Sequence, residues 1–276
     1  MPEAHRTPRS LTKLAEGASA EVYAWPQDRV LKLFRLGCPR ERVELELRHS
    51  RIAHALGIPT PRADGLAAID GRTGIVFERC DGPTLYDLIV ARAQPPEALA
   101  AAFFGLQQAI HRRASAALPP LAAQLAAKIA RAPDVPDAVK NAAAALLQAA
   151  PSGDAVCHGD FHPAQVIVST RGAMVIGWLH AARGDPAMDV LRTALYLEYG
   201  RAEAVDPGLR ATFVEAYARR CRDAWAGRLG ELKRLRLPVT VARLADAFEP
   251  SERRALRELV ADLARARLIA SRERGP

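Results

Sequence analysis

Cys157-His158-Gly159-Asp160-Phe161-His162-Pro163-Ala164-Gln165-Val166-Ile167-Val168 is the stretch on which the reading turns. It follows a Pro/Ser/Gly/Asp break at 151–154 and ends in a β-branched apolar run, so it reads as a tight loop entering a strand. The loop gathers His158, Asp160, His162 and Gln165. A polar loop leading into a buried strand is where a fixed scaffold presents reactive groups. A second apolar run, Met174 to Trp178, pairs with the first as a hairpin turning through Ser169-Thr170-Arg171-Gly172. Gly184-Asp185-Pro186-Ala187-Met188-Asp189 follows, and Asp189 to Tyr199 reads as a helix.

The layout His-Gly-Asp-x-His, then a strand ending at Trp, then Gly-Asp-Pro-x-x-Asp resembles the catalytic core of aminoglycoside phosphotransferases and choline kinase-like enzymes. These are small-molecule relatives of protein kinases. The resemblance implies that Asp160 is the catalytic base, within reach of an acceptor hydroxyl. It implies that His158, His162, Asp185 and Asp189 support the loop. Two positions depart from the family. Where its enzymes hold Mg²⁺ with an Asn, this chain has Gln165, whose amide is one methylene longer. Where they have a metal-binding Asp before Trp, it has Gly177, which has no side chain to coordinate with.

Earlier segments fit the same layout. Leu14 to Trp25 reads as strand, small-residue turn, strand. Gly17, Ala18, Ser19 and Ala20 let backbone amides approach a phosphate, though a plain hairpin reads equally well. In Val30-Leu31-Lys32-Leu33-Phe34 a lysine interrupts an apolar strand, which is costly unless it is paired or faces water on an edge strand. The resemblance gives Lys32 the α- and β-phosphates. It gives Glu46, on the helix from Arg40 to Leu56, the role of pairing that lysine; Glu44 reads as solvated. Gly74 to Gly82 is similar to the strand and hinge that hold an adenine edge, which brings in Phe77, Glu78 and Cys80. The expected fold is a two-lobed kinase-like α+β fold. Its N-lobe (1–80) is a small antiparallel sheet with one helix, and its C-lobe (81–276) is mostly helical.

Composition sets the bounds. The chain has 276 residues, 49% of them hydrophobic, 25% charged and few aromatic, which is ordinary for a globular protein. Net charge is +8, but the arginines are spread along helices among acids, and no nucleic-acid motif is present. The field favours an anionic ligand such as a nucleotide. Cys38, Cys80, Cys157 and Cys221 have no metal or redox spacing and read as free thiols of a reducing cytoplasm. No signal peptide or membrane-length apolar run is visible, and residues 1–10 read as a loose arm. His158-x-Asp160-x-His162 invites a transition-metal reading, but nothing else in the chain completes the ligand set.

The expected activity is ATP-dependent (or GTP-dependent) O-phosphotransfer to a small hydroxylated molecule, with weakened Mg²⁺ binding. The alternative is a pseudokinase that binds a nucleotide or partner without transfer. Glu198, Glu203, Asp206, Glu215 and Asp223 on the C-terminal helices offer acids for a cationic acceptor. The basic chain favours a neutral or anionic one instead.

Overall fold

The structure is a computed structural model that describes residues 11–200, 205–247 and 249–273. The arm 1–10 and Glu203 lie outside the described residues. The chain packs as two compact units, residues up to Leu85 with Ala164–His180, and Tyr86–Pro163 with the remainder from Ala181. The boundary expected near residue 80 lies close to the end of the first segment at Leu85, and the hairpin after the His158–His162 loop packs with the N-terminal sheet.

The first unit is a five-stranded antiparallel sheet. Its strands are β1 (Lys13–Glu16), β2 (Ala20–Trp25), β3 (Arg29–Phe34), β4 (Ala63–Ile69) and β5 (Arg72–Glu78), in the order β1-β2-β3-β5-β4. The strand of Lys32 is therefore central, and the edge-strand alternative falls away. Alternation along it sends Leu31 and Leu33 to one face, with Tyr23 and Ile69. The other face buries Phe34 and Ile75 against Val43 and Leu47 of helix α1 (Arg40–Ala55). Lys32 points to that helix side. Gly57, at φ +70°, lies just past the helix end, as a left-handed stop requires.

Strands β7 (Val166–Ser169) and β8 (Gly172–Val175) form the expected hairpin. The second strand stops at Val175 rather than running to Trp178. A short 3₁₀ turn takes over from Trp178 to His180. Trp178 is buried, and its indole N–H donates to Thr60 Oγ1 at 3.0 Å. His49 of α1 donates from Nδ1 toward the carbonyls of Trp178 and Leu179, at 3.1 and 3.2 Å. A carbonyl can only accept, so the proton sits on Nδ1.

The second unit is mostly helical: α2 (Leu85–Val90), α3 (Pro96–His111), α4 (Leu121–Arg131), α5 (Asp137–Gln148), α6 (Pro186–Tyr199), α7 (Pro207–Ala224), α8 (Leu229–Leu244) and α9 (Pro250–Glu273). A two-stranded ladder that the sequence pattern did not suggest pairs β6 (Ala155–Cys157) with β9 (Ala182–Gly184). Three residues are too few for a period to show, and the pairing is non-local. This ladder leads straight into the loop at His158. No helix among the described residues is long and apolar enough to cross a membrane.

The aromatic core of this unit holds the loop from below. Phe103 is fully buried and stacks on Phe161 at 4.4 Å between centroids, with Phe213 and Tyr217 at 5.9 and 5.7 Å. Phe103→Ala leaves a cavity under the loop. Urea denaturation should show a loss of about 3–5 kcal/mol, and a loss under about 1 kcal/mol would mean that the loop collapses into the space.

Candidate active site

The candidate residues fall into two groups, one on each unit. On the helical unit the loop is fixed at both ends. Asp189, on the first turns of α6, accepts the backbone N–H groups of Gly159 at 2.8 Å and His158 at 3.2 Å, and His111 Nε2 at 2.9 Å. Burial alone would raise the Asp189 pKa. The His111 hydrogen bond and charge, the His158 charge and the Gly159 N–H together hold it below the usual carboxylate range. At the other end Thr193 Oγ1 donates to the Phe161 carbonyl at 3.0 Å, Gln107 donates to Thr193 at 2.9 Å, and Tyr217 donates to Gln107 at 2.6 Å. Gly159 takes the sharp turn at φ +76°. Asp160 is thereby presented on a loop tied by hydrogen bonds into three helices.

His158 is buried, and its Nδ1 accepts the Asp160 N–H at 3.2 Å. His162 stacks on Tyr196 at 4.1 Å, with Nε2 3.8 Å from Asp160 Oδ2. Burial lowers its pKa to about 4, outweighing Asp160, so it is neutral at pH 7. Asp185 ties down the helix that follows the loop. Its carboxylate caps α6 through the Ala187 N–H at 3.0 Å and pairs with Arg228. That pairing ties the turn before α8 to the start of α6 and makes Asp185 a poor stand-in metal ligand.

His111, Cys157 and Asp189 also bring three ligand-type atoms together within 4.8 Å. Asp189 is already spent on three donors, and burial pushes the Cys157 thiol well above its usual pKa. The cluster is a hydrogen-bonded tie rather than a cation site.

Two arginines missed by the sequence reading flank Asp160. Arg243 of α8 places Nη1 3.4 Å from Oδ1, and Arg192 of α6 places Nη2 3.8 Å from the same oxygen. Both are buried. Each was visible as a lone charge in an apolar helix stretch, the same signal that singled out Lys32.

On the sheet unit Lys32 Nζ and Glu46 Oε1 pair at 2.5 Å, with Glu46 buried and Lys32 partly exposed. In the turn between β1 and β2 the Gly17 N–H is donated to the Ala20 carbonyl at 2.8 Å, and the Ser19 carbonyl accepts the Arg35 N–H. Gly17 closes the turn and does not present its amide outward. Phe77 packs into the core beside α1. Glu78 accepts Arg171 Nη1 at 2.5 Å, which tethers the hairpin turn to β5. The Glu78 and Arg79 N–H groups are taken by the carbonyls of Arg62 and Asp28. The Cys80 backbone has no such partner among the described residues.

The two departures at the metal positions turn out to be one feature. Gly177 adopts φ +80°, and a Cβ built on it would lie 2.2 Å from Gln165 Oε1 and 2.6 Å from the amide carbon and nitrogen. The Ile176 N–H donates to the Gln165 carbonyl at 2.9 Å, which locks the two segments side by side. The extra methylene of Gln165 carries its amide into the space that glycine vacates. Mg²⁺ wants carboxylate, phosphate and water oxygens. One neutral amide and a bare glycine do not make that set, so the donor groups here do not fit the ion.

The fold is the kinase-like α+β fold of small-molecule phosphotransferases. The model of the phosphotransferase enzyme family matches residues 10–230; the chain belongs to that family. No curated protein matches the sequence. Among solved structures, a thermostable mutant of aminoglycoside phosphotransferase APH(4)-Ia, in ternary complex with ADP and hygromycin B, is 16% identical with a TM-score of 0.65, covering 92% of this chain and 93% of that one. A choline/ethanolamine kinase family protein from Mesorhizobium loti is 16% identical with a TM-score of 0.54, covering 92% and 86%. Aminoglycoside phosphotransferase APH(3'')-Id from Streptomyces rimosus, with ADP and streptomycin, is 17% identical with a TM-score of 0.52, covering 82% and 90%.

Two outcomes are expected. Gly177→Asp alone meets both the left-handed backbone and the Gln165 amide and should lose roughly 1–3 kcal/mol. Adding Gln165→Asn removes the collision, and aspartate tolerates positive φ better than most residues. The double variant should melt above the single one and bind ATP more tightly with Mg²⁺ than without. Equal melting of the two variants would exclude the collision.

The second concerns pH. The folded-state pKa of His162, about 4, lies below its ordinary value, so the unfolded chain binds more protons between roughly pH 4 and 6.5. Stability from neutral His162 is complete above that window and is lost as pH falls through it, by at most about 3 kcal/mol. His162→Gln should flatten the stability slope there in denaturant titrations run at each pH.

Proposed function

We propose that this chain is an ATP-dependent O-phosphotransferase acting on a small hydroxylated molecule. The observation that carries the reading is the Lys32–Glu46 pair on the central strand. A buried glutamate holds a lysine whose ammonium keeps donors to spare, an arrangement suited to gripping nucleotide phosphates. The nucleotide is assigned to segment 1–80, with Lys32 on its phosphates. The turn of Gly17 and Ser19 lies over them, and the hinge of Phe77, Glu78 and Cys80 lies along the base. The unspent backbone of Cys80 is the natural adenine partner, and GTP would use the same groups.

The acceptor is assigned to segment 81–276. Asp160 orients its hydroxyl and takes the proton as the new O–P bond forms and the bond to the departing ADP breaks. His158, His162 and Asp189 hold the loop that presents Asp160. Because the donor set at Gln165 and Gly177 does not fit Mg²⁺, no step is drawn through that ion. The cysteines are free thiols, consistent with a cytoplasmic protein whose partners are nucleotide and small molecule rather than nucleic acid or membrane.

The Gly177–Gln165 arrangement favours a second reading, a pseudokinase that binds nucleotide and transfers nothing. Titration calorimetry with ATP, with and without Mg²⁺, combined with a transfer assay, separates the two. The enzyme reading expects ATP binding weakened about tenfold or more by Lys32→Ala. It also expects a transfer rate lowered about 10²- to 10⁴-fold by Asp160→Asn. Binding that ignores Mg²⁺, with no transfer to any hydroxylated acceptor, establishes the second reading. No ATP binding at millimolar concentration sinks both.

A further inference from the structure

Resting on the phosphotransferase reading, the acceptor's chemistry can be narrowed from the groups around Asp160. An acceptor hydroxyl engaged by this carboxylate meets first whatever lies within about 4 Å of it, the range of hydrogen bonds and close ion pairs. Those groups include Arg243, Arg192 and neutral His162. Arg192 is 3% exposed and Arg243 6%.

The two guanidiniums together carry ten N–H donors. Arg243 donates from Nε to Glu252 at 2.8 Å and from Nη1 toward Asp160, and Arg192 donates from Nη2 to Asp246 at 2.5 Å. Arg192 Nε and Nη1 are buried donors with no hydrogen-bond partner, and the neutral His162 ring has no partner at Nδ1. Buried donors without acceptors are rare and cost about 1–3 kcal/mol each. Asp160, Asp246 and Glu252 stand against Arg192, Arg243, Lys128, whose Nζ lies 2.6 Å from Asp246, and the exposed Arg131, 3.9 Å from Asp246. The surplus is one of donors, and what is missing is acceptor oxygen.

A cationic acceptor finds nothing to bind in this cluster, because every carboxylate here already faces an arginine or lysine. Three of the acids offered by the C-terminal helices are also engaged. Glu198 pairs with Arg236, Asp206 caps α7 and pairs with Arg92, and Glu215 pairs with Arg222. Tyr196 lies under Arg243 at 5.4 Å and stacks on His162. Arginine at such a place can still offer its remaining donors to an oxyanion.

We infer that the acceptor carries an oxyanion, a carboxylate or a phosphate, beside the hydroxyl that is phosphorylated, and that Arg243 and Arg192 recognise it. Arginine matches both groups with a bidentate fork, and the affinity of the pair sets specificity against neutral and polycationic alcohols.

The test is calorimetric binding to the full chain, with no nucleotide present, of four probes: glycerate for carboxylate, glycerol 3-phosphate for phosphate, glycerol as the neutral alcohol and kanamycin as the polycation. At least one anionic probe should bind about tenfold or more tightly than glycerol, with kanamycin weakest. Arg243→Gln should lose that preference. Arg243→Lys, which keeps the charge and the packing stem but not the fork, should lose part of it, and it remains informative if the glutamine variant fails to fold. Kanamycin or glycerol binding as tightly as the anions overturns the inference, as does no binding by any probe or unchanged anion binding in both variants. ATP binding and transfer are read separately. Anion preference in a chain that never transfers phosphate keeps the recognition site and removes only the phosphotransferase reading on which it was built.

Discussion

The carboxylate of Asp189 is the fixed point of the helical unit. It is buried, it accepts two successive backbone N–H groups of the catalytic loop, and it is oriented by His111 from the end of α3. A loop of this kind has no regular ladder to satisfy its amides, and leaving them unpaired in the interior would cost about 1–3 kcal/mol each. One acid on the first turns of α6 meets that need and sets the direction in which Asp160 points. The Thr193–Gln107–Tyr217 chain does the same for the Phe161 carbonyl. The presented carboxylate is therefore as rigid as the packing of α3, α6 and α7 beneath it.

The same logic of compensating shape governs residues 165 and 177. Taken one at a time, a glutamine and a glycine at these places look like two losses. Together they close a space: the amide fills what the missing side chain leaves open, and the backbone at 177 stays in a conformation that glycine adopts without strain. Charge is not compensated. The pair replaces anionic oxygen with a neutral dipole, which keeps the packing and removes affinity for a hard divalent cation.

Around Asp160 the balance differs again. Buried ion pairs are poor sources of stability, because desolvation offsets most of their attraction. Six charges from α4, α6, α8, α9 and two connecting segments nevertheless converge there. Asp246 is held far below the usual carboxylate range: Arg192 and Lys128 overcome its burial. A cluster so poorly repaid in stability is what the proposed recognition of an oxyanion would account for.

The sequence by itself determined the order of the elements, the loop, the hairpin, the lysine strand and the helix glutamate. Each of these leaves a local trace: a period of two or 3.6, a glycine at a turn, a lone charge in an apolar run. Lys32 stood out for that reason, whereas the roles expected of Asp160 and Glu46 came from the family resemblance. Tertiary structure alone decided that Lys32 sits on a central strand, that β6 and β9 pair, and that Asp185 answers to Arg228 while Asp189 holds the loop. It also decided that Gln165 occupies the space above Gly177, and that arginines some 30 and 80 residues downstream reach Asp160. These facts depend on which side chains meet across long sequence separations. Local pattern cannot encode such meetings, because a residue's burial and partner are set by the packing of the elements that carry it.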